Sequence, residues 1–346
     1  MSTLRAPVAA DHGPLTASPA EVVAAPRKRA MPGLGAVAGV TAMVCVGGSV
    51  AVSSVLAGAP VFTAEAVRYA GACLLLVLLA RVTGRRLAMP HGSEWLWLGG
   101  IAVTGLVVFN VALVQGSRHA EPAVLGVAVA CVPAVLAVIG PLLEGSRPRR
   151  SLIAAALVVT CGAALVQGVG RTDAIGVAWA AVVFSCEAAF TLLAIPVLGR
   201  HGPWGVSVHA TWLAAVIFGA IGMVHEGPAA AVHLTRTDWL AAGYLAVAVT
   251  AVAFVLWYSC VSRLGASRAG LLTGVAPVAA AGTGVLLGGA APRPLVWLGI
   301  AVVAVGLALG FRPSRSAAPD PALGPPEPAP APGQALVPPG PELVGH

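Results

Sequence analysis

One stretch of this chain occurs twice, and both copies are too apolar to fold in water. Residues Phe109 to Gly145, FNVALVQGSRHAEPAVLGVAVACVPAVLAVIGPLLEG, have a counterpart in Phe254 to Gly289, FVLWYSCVSRLGASRAGLLTGVAPVAAAGTGVLLGG. Phe109 and Ser117-Arg118 match Phe254 and Ser262-Arg263 at a spacing of 145 residues. After a one-residue slip, Gly126, Pro133, Leu142-Leu143 and Gly145 match Gly270, Pro277, Leu286-Leu287 and Gly289 at 144. Each copy reads as an apolar helix, a short basic turn, and a second apolar helix with a proline in mid-span. Duplication inside so apolar a chain points to an all-α membrane protein built from two repeats.

Composition leaves little alternative. The chain is 58% hydrophobic and 10% charged, with a mean hydropathy of +0.90, where soluble domains carry about 25% charged residues. A net charge of +7 would suggest nucleic acid in a soluble protein. Here the basic residues sit singly between apolar segments, so the expected partner is the lipid bilayer and not nucleic acid. The six cysteines (Cys45, Cys73, Cys131, Cys161, Cys186, Cys260) all fall in apolar segments without a CxxC pair. They read as small packing residues, neither disulfides nor metal ligands.

A spanning helix needs about 20 apolar residues. Turn residues and charges divide the chain into ten such segments: 33–56, 62–80, 95–116, 121–143, 152–170, 175–198, 204–224, 238–262, 267–289 and 294–311. If both ends are cytoplasmic, fifteen of the twenty Lys and Arg residues fall on that side. Four (Arg118, Arg171, Arg236, Arg293) fall on the other, and Arg68 lies in the membrane. Positive residues concentrate on the cytoplasmic face, so this topology is the expected one. The halves 33–170 and 175–311 then hold five helices each, and an odd number enters the second half upside down. Two inverted five-helix repeats around a central cavity are a recurrent transporter architecture. The Ala/Pro-rich residues 1–32 and the Pro/Ala-rich residues 312–346 read as disordered cytoplasmic tails.

The pattern resembles the drug/metabolite transporter superfamily, in particular its ten-helix EamA-type members. The likeness is carried by AEAVRYAGACLLL (65–77), by the two pairs SRHAEPAVLG…VPAVLAV…LLEG and SRLGASRAG…APVAAAGTG, and by the closing WLGIAVVAVGLALG. Two departures stand out. Gly47-Gly48-Ser49 stands where the family often has Trp-Gly-Ser. Gly288-Gly289-Ala290 stands where a glutamate is usual, while Glu144 keeps the first copy's version. The resemblance implies a bacterial inner-membrane transporter that exports amino acids or related metabolites by alternating access, with no cofactor. A homodimer is an open possibility.

The candidate site residues are the polar groups that the apolar helices retain. Glu187 lies deep in the sixth segment, where a charge costs roughly 2.5–3.5 kcal/mol. Phe184, Phe190 and Thr191 share its face. It reads either as a proton- or substrate-binding carboxyl or as a buried acid bonded to a neighbouring helix. Glu65 and Arg68, three apart, can pair, and the resemblance favours Arg68 at the cavity. The alternative is that Arg68 snorkels to the interface. Asn110 and His209 line a cavity or make interhelical hydrogen bonds, and His209 titrates near neutral pH. Trp257 and Tyr258 stack on a flat substrate or anchor an interface. The spacing of Thr41, Cys45, Ser49 and Ser53, and of Gly282, Gly284 and Gly288, predicts close helix packing. Pro133 and Pro277, at matched positions, predict kinks that serve as hinges.

Several chemistries have no motif here. GxxxxGK[ST], HExxH and GxSxG are missing, so neither an ATP site, a zinc protease nor a hydrolase elbow is indicated. The function expected is therefore secondary transport of a small organic metabolite, coupled to protons through Glu187. The alternatives are an uncoupled facilitator of the same fold and a non-transporting membrane enzyme or sensor.

Overall fold

The computed structural model describes residues 32–49, 52, 54–288 and 292–312. The expected tails, apart from Pro32 and Arg312, lie outside the described residues, as do Ser53 and Gly289. Among the described residues regular structure is helical, with one isolated bridge between Ala120 and Thr172. The helices are α1 (Pro32–Gly48), α2 (Val61–Val82), α3 (Glu94–Gly116), α4 (Pro122–Leu143), α5 (Arg150–Gln167), α6 (Ala174–Leu192), α7 (Ile195–His225), α8 (Arg236–Leu264), α9 (Ala266–Leu286) and α10 (Pro294–Gly310). Eight are long and apolar enough to cross a membrane. The remaining two, α1 and α10, are apolar but shorter.

Local chemistry sets the ends. Pro122 opens α4 and Pro294 opens α10, where a missing N–H costs nothing. The Asp173 carboxylate accepts the Gly176 N–H at 2.7 Å and caps α6. Thr235 and Asp238 form a reciprocal capping box at the start of α8. Gly265 alone joins α8 to α9, at a φ of 78° that side chains rarely adopt.

Two boundaries differ from those expected. α1 stops at Gly48, at the Gly47-Gly48 pair, and not at 56. α6 stops at Leu192 instead of 198, and a short helical piece at the head of α7 starts at Ile195. Pro196 is tolerated because it sits in the first turn of α7. Gly202, at φ 62° and ψ 177°, is non-helical and divides α7 into a short first piece and the long helix that follows Pro203, so the expected start at 204 falls at this break.

Two features interrupt the helices at matched places. α3 widens into a π-helix over Ile101–Val108, and α8 does so over Leu245–Val252, 144 residues on. α4 breaks at Cys131, just ahead of Pro133. α9 tightens to a 3-10 turn over Leu272–Gly274, just ahead of Pro277. The starts of α4 and α9, and of α5 and α10, are also 144 residues apart. The matched Phe and Ser-Arg residues at 145 therefore stand one residue out of the structural register. The register is 144 on both sides of the joint, where α8 runs on to Leu264 and a one-residue link while α3 stops at Gly116 before the longer link 117–121.

Packing follows the same correspondence. α2 packs on α7, α4 on α9 and α5 on α10, while α1 packs on α8 as α6 packs on α3. The three equivalent pairs run antiparallel. Glu226 after α7 bonds to Phe62 and Thr63 at the start of α2, while Arg85 after α2 lies over Trp204 early in α7. Glu144 after α4 bonds to Ala266 at the start of α9. Along α5 and α10, Ala155 meets Gly310, Val159 meets Gly306 and Gly162 meets Gly299.

Glycine allows the closest approaches. A Cβ on Gly162 would lie 2.6 Å from the Val303 nitrogen, and one on Gly306 would lie 2.9 Å from the Val159 nitrogen. On α1 the close face is Gly39 and Gly47, where a Cβ would collide with Leu272 and with the Ala276 carbonyl. The expected Thr41 stripe is not that face, for Thr41 is exposed and Cys45 half-buried. Nor do Gly282, Gly284 and Gly288 pack closely. Nothing lies within 4 Å of the position a Cβ would take at any of them.

Candidate functional site

Glu187 occupies the buried face of α6. Its helical neighbours on that face, Val183, Phe190 and Thr191, are buried and Phe184 is half-buried, while Ala181 and Ser185 on the other side are exposed. Glu187 itself is only half-buried. No hydrogen bond or ion pair holds its carboxylate among the described residues. Its electrostatic neighbours are the Cys186 thiol and the Tyr258 phenol.

The wall around it comes from α6, α8, α3 and α4. Trp257 Nε1 donates to Thr191 Oγ1 at 3.0 Å, and Tyr258 Oη donates to the Phe190 carbonyl at 3.2 Å. The Phe190 ring lies 4.9 Å from Phe254 and 5.2 Å from Tyr258 between centroids. It fits closely against Gly105, in the π stretch of α3. Ala188 and Phe184 pack on Val132 and Leu136, just past the break in α4. Trp257 and Tyr258 are buried, so neither anchors a lipid interface. They join α8 to α6.

A second polar group lies across α2, α3, α7 and α8. Arg68 Nη1 sits 3.3 Å from both oxygens of Glu65, and Arg68 Nε donates to Thr250 Oγ1 at 3.0 Å. Glu65 is buried and the Arg68 side chain nearly so, which means this arginine does not snorkel. Charge is balanced inside the protein. Asn110 Nδ2 donates to Tyr69 Oη at 3.1 Å and to the Leu106 carbonyl at 2.7 Å. Tyr69 stacks on Phe218 at 5.7 Å. Both π stretches contribute, through Leu106 and Thr250. Wide turns of this type recur at functional sites.

His209 belongs to a different neighbourhood. Trp212 Nε1 donates to its Nδ1 at 3.2 Å, which leaves Nε2 to donate to the Ala88 carbonyl at 2.9 Å. Both ring nitrogens are thereby used in holding the 84–93 segment to α7. Beside it, Glu94 pairs with Arg200, whose Nη2 reaches His91 Nδ1 at 2.8 Å. Of the candidates, then, Arg68, Glu65 and Asn110 share one cluster, Glu187 and Trp257 another, and His209 stands apart. Pro133 and Pro277 sit at the helix breaks already described. A shallow groove of about 350 Å³ between Cys73 and Val77 on α2 and Trp212 and Val216 on α7 is apolar and contains none of the candidates.

Sequence reasoning missed Thr250, Thr191, Glu144 and Glu226 as partners. Thr250 was visible only as a hydroxyl in an apolar run, and Thr191 only as a neighbour on the face of Glu187. Nothing in the order of residues ties Thr250 to an arginine 182 positions away.

Known proteins supply the context. The EamA-like transporter family matches residues 33–167 and again residues 174–312. YetK of Bacillus subtilis (strain 168), described as an uncharacterized transporter, is 25% identical over 249 residues, which is 69% of this chain and 75% of that protein. A solved crystal structure, described only as that of a protein, superposes with a TM-score of 0.68 at 20% identity. It covers 80% of this chain and 97% of its own, a likeness of fold.

Proposed function

The chain belongs to the EamA-like transporter family and is a multi-pass membrane protein, and from that premise we propose that it is a proton-coupled secondary transporter of a small organic metabolite. In this reading α1 to α10 all span a bacterial inner membrane, with both termini cytoplasmic. The two halves are inverted repeats that open in alternation. The antiparallel packing of α2 with α7, α4 with α9 and α5 with α10 supports the inversion. The helix breaks ahead of Pro133 and Pro277 are the flexing points. The family precedent favours export of amino acids or related compounds.

The observation that carries the coupling is Glu187, a half-buried carboxyl on the inner face of α6 with no hydrogen-bond or ion-pair partner among the described residues. The Glu65–Arg68 pair is internally compensated, so Glu187 is the group left to take a proton or a cationic part of the substrate. Arg68 and Asn110 shape one wall of the pocket, and Trp257 stiffens another.

Glu187→Gln in proteoliposomes tests this. Flux driven by a pH gradient should vanish while the thermal transition of the purified protein stays within a few degrees. Unchanged flux removes Glu187 from the mechanism and leaves an uncoupled facilitator. The substrate itself is sought by screening metabolites for a rise in melting temperature, which only a ligand bound to the folded state produces.

A further inference from the structure

α4 and α9 are equivalent helices running antiparallel, so they have two ends at which to meet. The chain equips those ends differently. After α4, the Glu144 carboxylate accepts a hydrogen bond from the Ala266 backbone N–H at 2.7 Å. Beside it Ser267 Oγ donates to the Leu136 carbonyl at 3.3 Å. The two helices close up here: a Cβ on Gly140 would lie 2.7 Å from the Ala266 Cβ, and one on Gly270 would lie 2.9 Å from the Leu136 Cβ.

At the opposite end the positions equivalent to Glu144 and Ala266 are Gly288 and Pro122. Gly288 has no side chain to accept with, and Pro122 has no N–H to donate. The bond cannot form there. The α9 segment leading to that end, Val275–Leu286, has no buried residue. α2 and α7 differ from this pair, since they are tied at both ends. Glu226 accepts from Phe62 N at 2.9 Å and Thr63 N at 2.8 Å at one end, and Arg85 lies 4.9 Å from the Trp204 ring at the other.

We propose that Glu144 is a one-sided latch that holds α4 against α9 at its own end and so biases the transporter at rest toward the state open at the Gly288 end. The inference rests on the alternating-access reading above and adds which state is favoured and which residue favours it. Glu144 contacts no substrate in this scheme. It positions α9, and it must release before the pocket opens toward its side. The arginine distribution puts that side in the cytoplasm, so release of the latch is the step that admits cytoplasmic substrate.

Hydrogen exchange read by mass spectrometry on the full chain in lipid nanodiscs tests the proposal. In the native protein the amides of 266–271 should exchange slowly and those of 282–288 fast; equal protection at both ends overturns it. In Glu144→Ala, exchange at 266–271 should rise about fivefold, the scale of one hydrogen bond to a charged but exposed group. Exchange at 123–130 and 282–288 should fall as that end closes. A rise at 266–271 without the distant fall makes Glu144 a local cap only, and no change at either end also overturns the latch. Glu226→Ala, which cuts bonds of the same chemistry between α2 and α7, should leave both α4–α9 ends unmoved. If flux in proteoliposomes persists while the distant fall is missing, the latch fails and the transport reading stands. Absence of flux from the native protein defeats the transport reading whatever the exchange shows.

Discussion

Glu65 and Arg68 on α2 stand 144 residues before His209 and Trp212 on α7, and in each pair the side chains touch across three residues. The first pair is charged and reaches inward to Thr250 on α8. The second is uncharged and reaches sideways to the Ala88 carbonyl. The ends of these helices repeat the contrast. Glu94 accepts the His91 N–H as Asp238 accepts the Thr235 N–H, 144 residues on, so the backbone devices agree. Arg200 pairs with Glu94, whereas the equivalent of Arg200 is Leu56, which packs with Leu234, Ala241 and Leu245. Duplication has kept the scaffold symmetric, and substitution has made its chemistry directional.

Arg68→Leu should produce the largest effect on this contrast. It strands the buried Glu65 carboxylate, and removing one partner of a buried pair costs about 3–5 kcal/mol. The thermal transition in detergent should fall steeply, and adding Glu65→Leu should restore most of the loss. If the double variant is no better than the single one, the charge balance assigned to α2 is wrong. Trp212→Phe on the equivalent turn of α7 should cost only about 1 kcal/mol, the usual worth of one neutral hydrogen bond. A loss as large as that of Arg68→Leu would erase the distinction between the halves.

The smallest effect should lie in the exposed links. The Gly176 N–H, and after it His119 at 2.9 Å, hold the Asp173 carboxyl below the usual carboxylate range. A folded-state value below the unfolded one stabilises the cap of α6 at pH above the ordinary carboxylate range. That contribution fades as pH falls through the lowered value. Melting temperature measured from pH 6 downward should therefore decline slightly more for the native chain than for Asp173→Asn. Parallel curves would show that the cap contributes nothing measurable.

Much of this was legible in the residues. Helical spacing alone put Glu187 with Phe190 and Thr191, and put Arg68 within reach of Glu65, because contacts three or four apart are fixed by the helix itself. Contacts between helices were not. Ile101–Val108 and Leu245–Val252 are plain Ala/Val/Leu runs, and their widening depends on what packs beside them. The glycines show the same limit. Gly282, Gly284 and Gly288 looked like a packing stripe and face open space, while Gly162, Gly299 and Gly306 bring α5 and α10 together. Composition says that a helix can be approached closely, and only the neighbours decide on which side. His209 was chosen for its polarity, and polarity alone could not show that both nitrogens were already in use.

The single residue between α8 and α9 has a mechanical consequence. Gly265 offers just two soft torsions, so a tilt of α9 at its Glu144 end has almost no slack to absorb it. The motion must pass into the last turns of α8, which carry Trp257 and Tyr258. The five-residue span 117–121 is instead bound to the 171–173 link, through the Ala120–Thr172 bridge and the Glu121 N–H to the Arg171 carbonyl. In one half the joint passes a tilt straight along the chain, in the other the link is anchored to its neighbour, and the direct path leads to the wall behind Glu187.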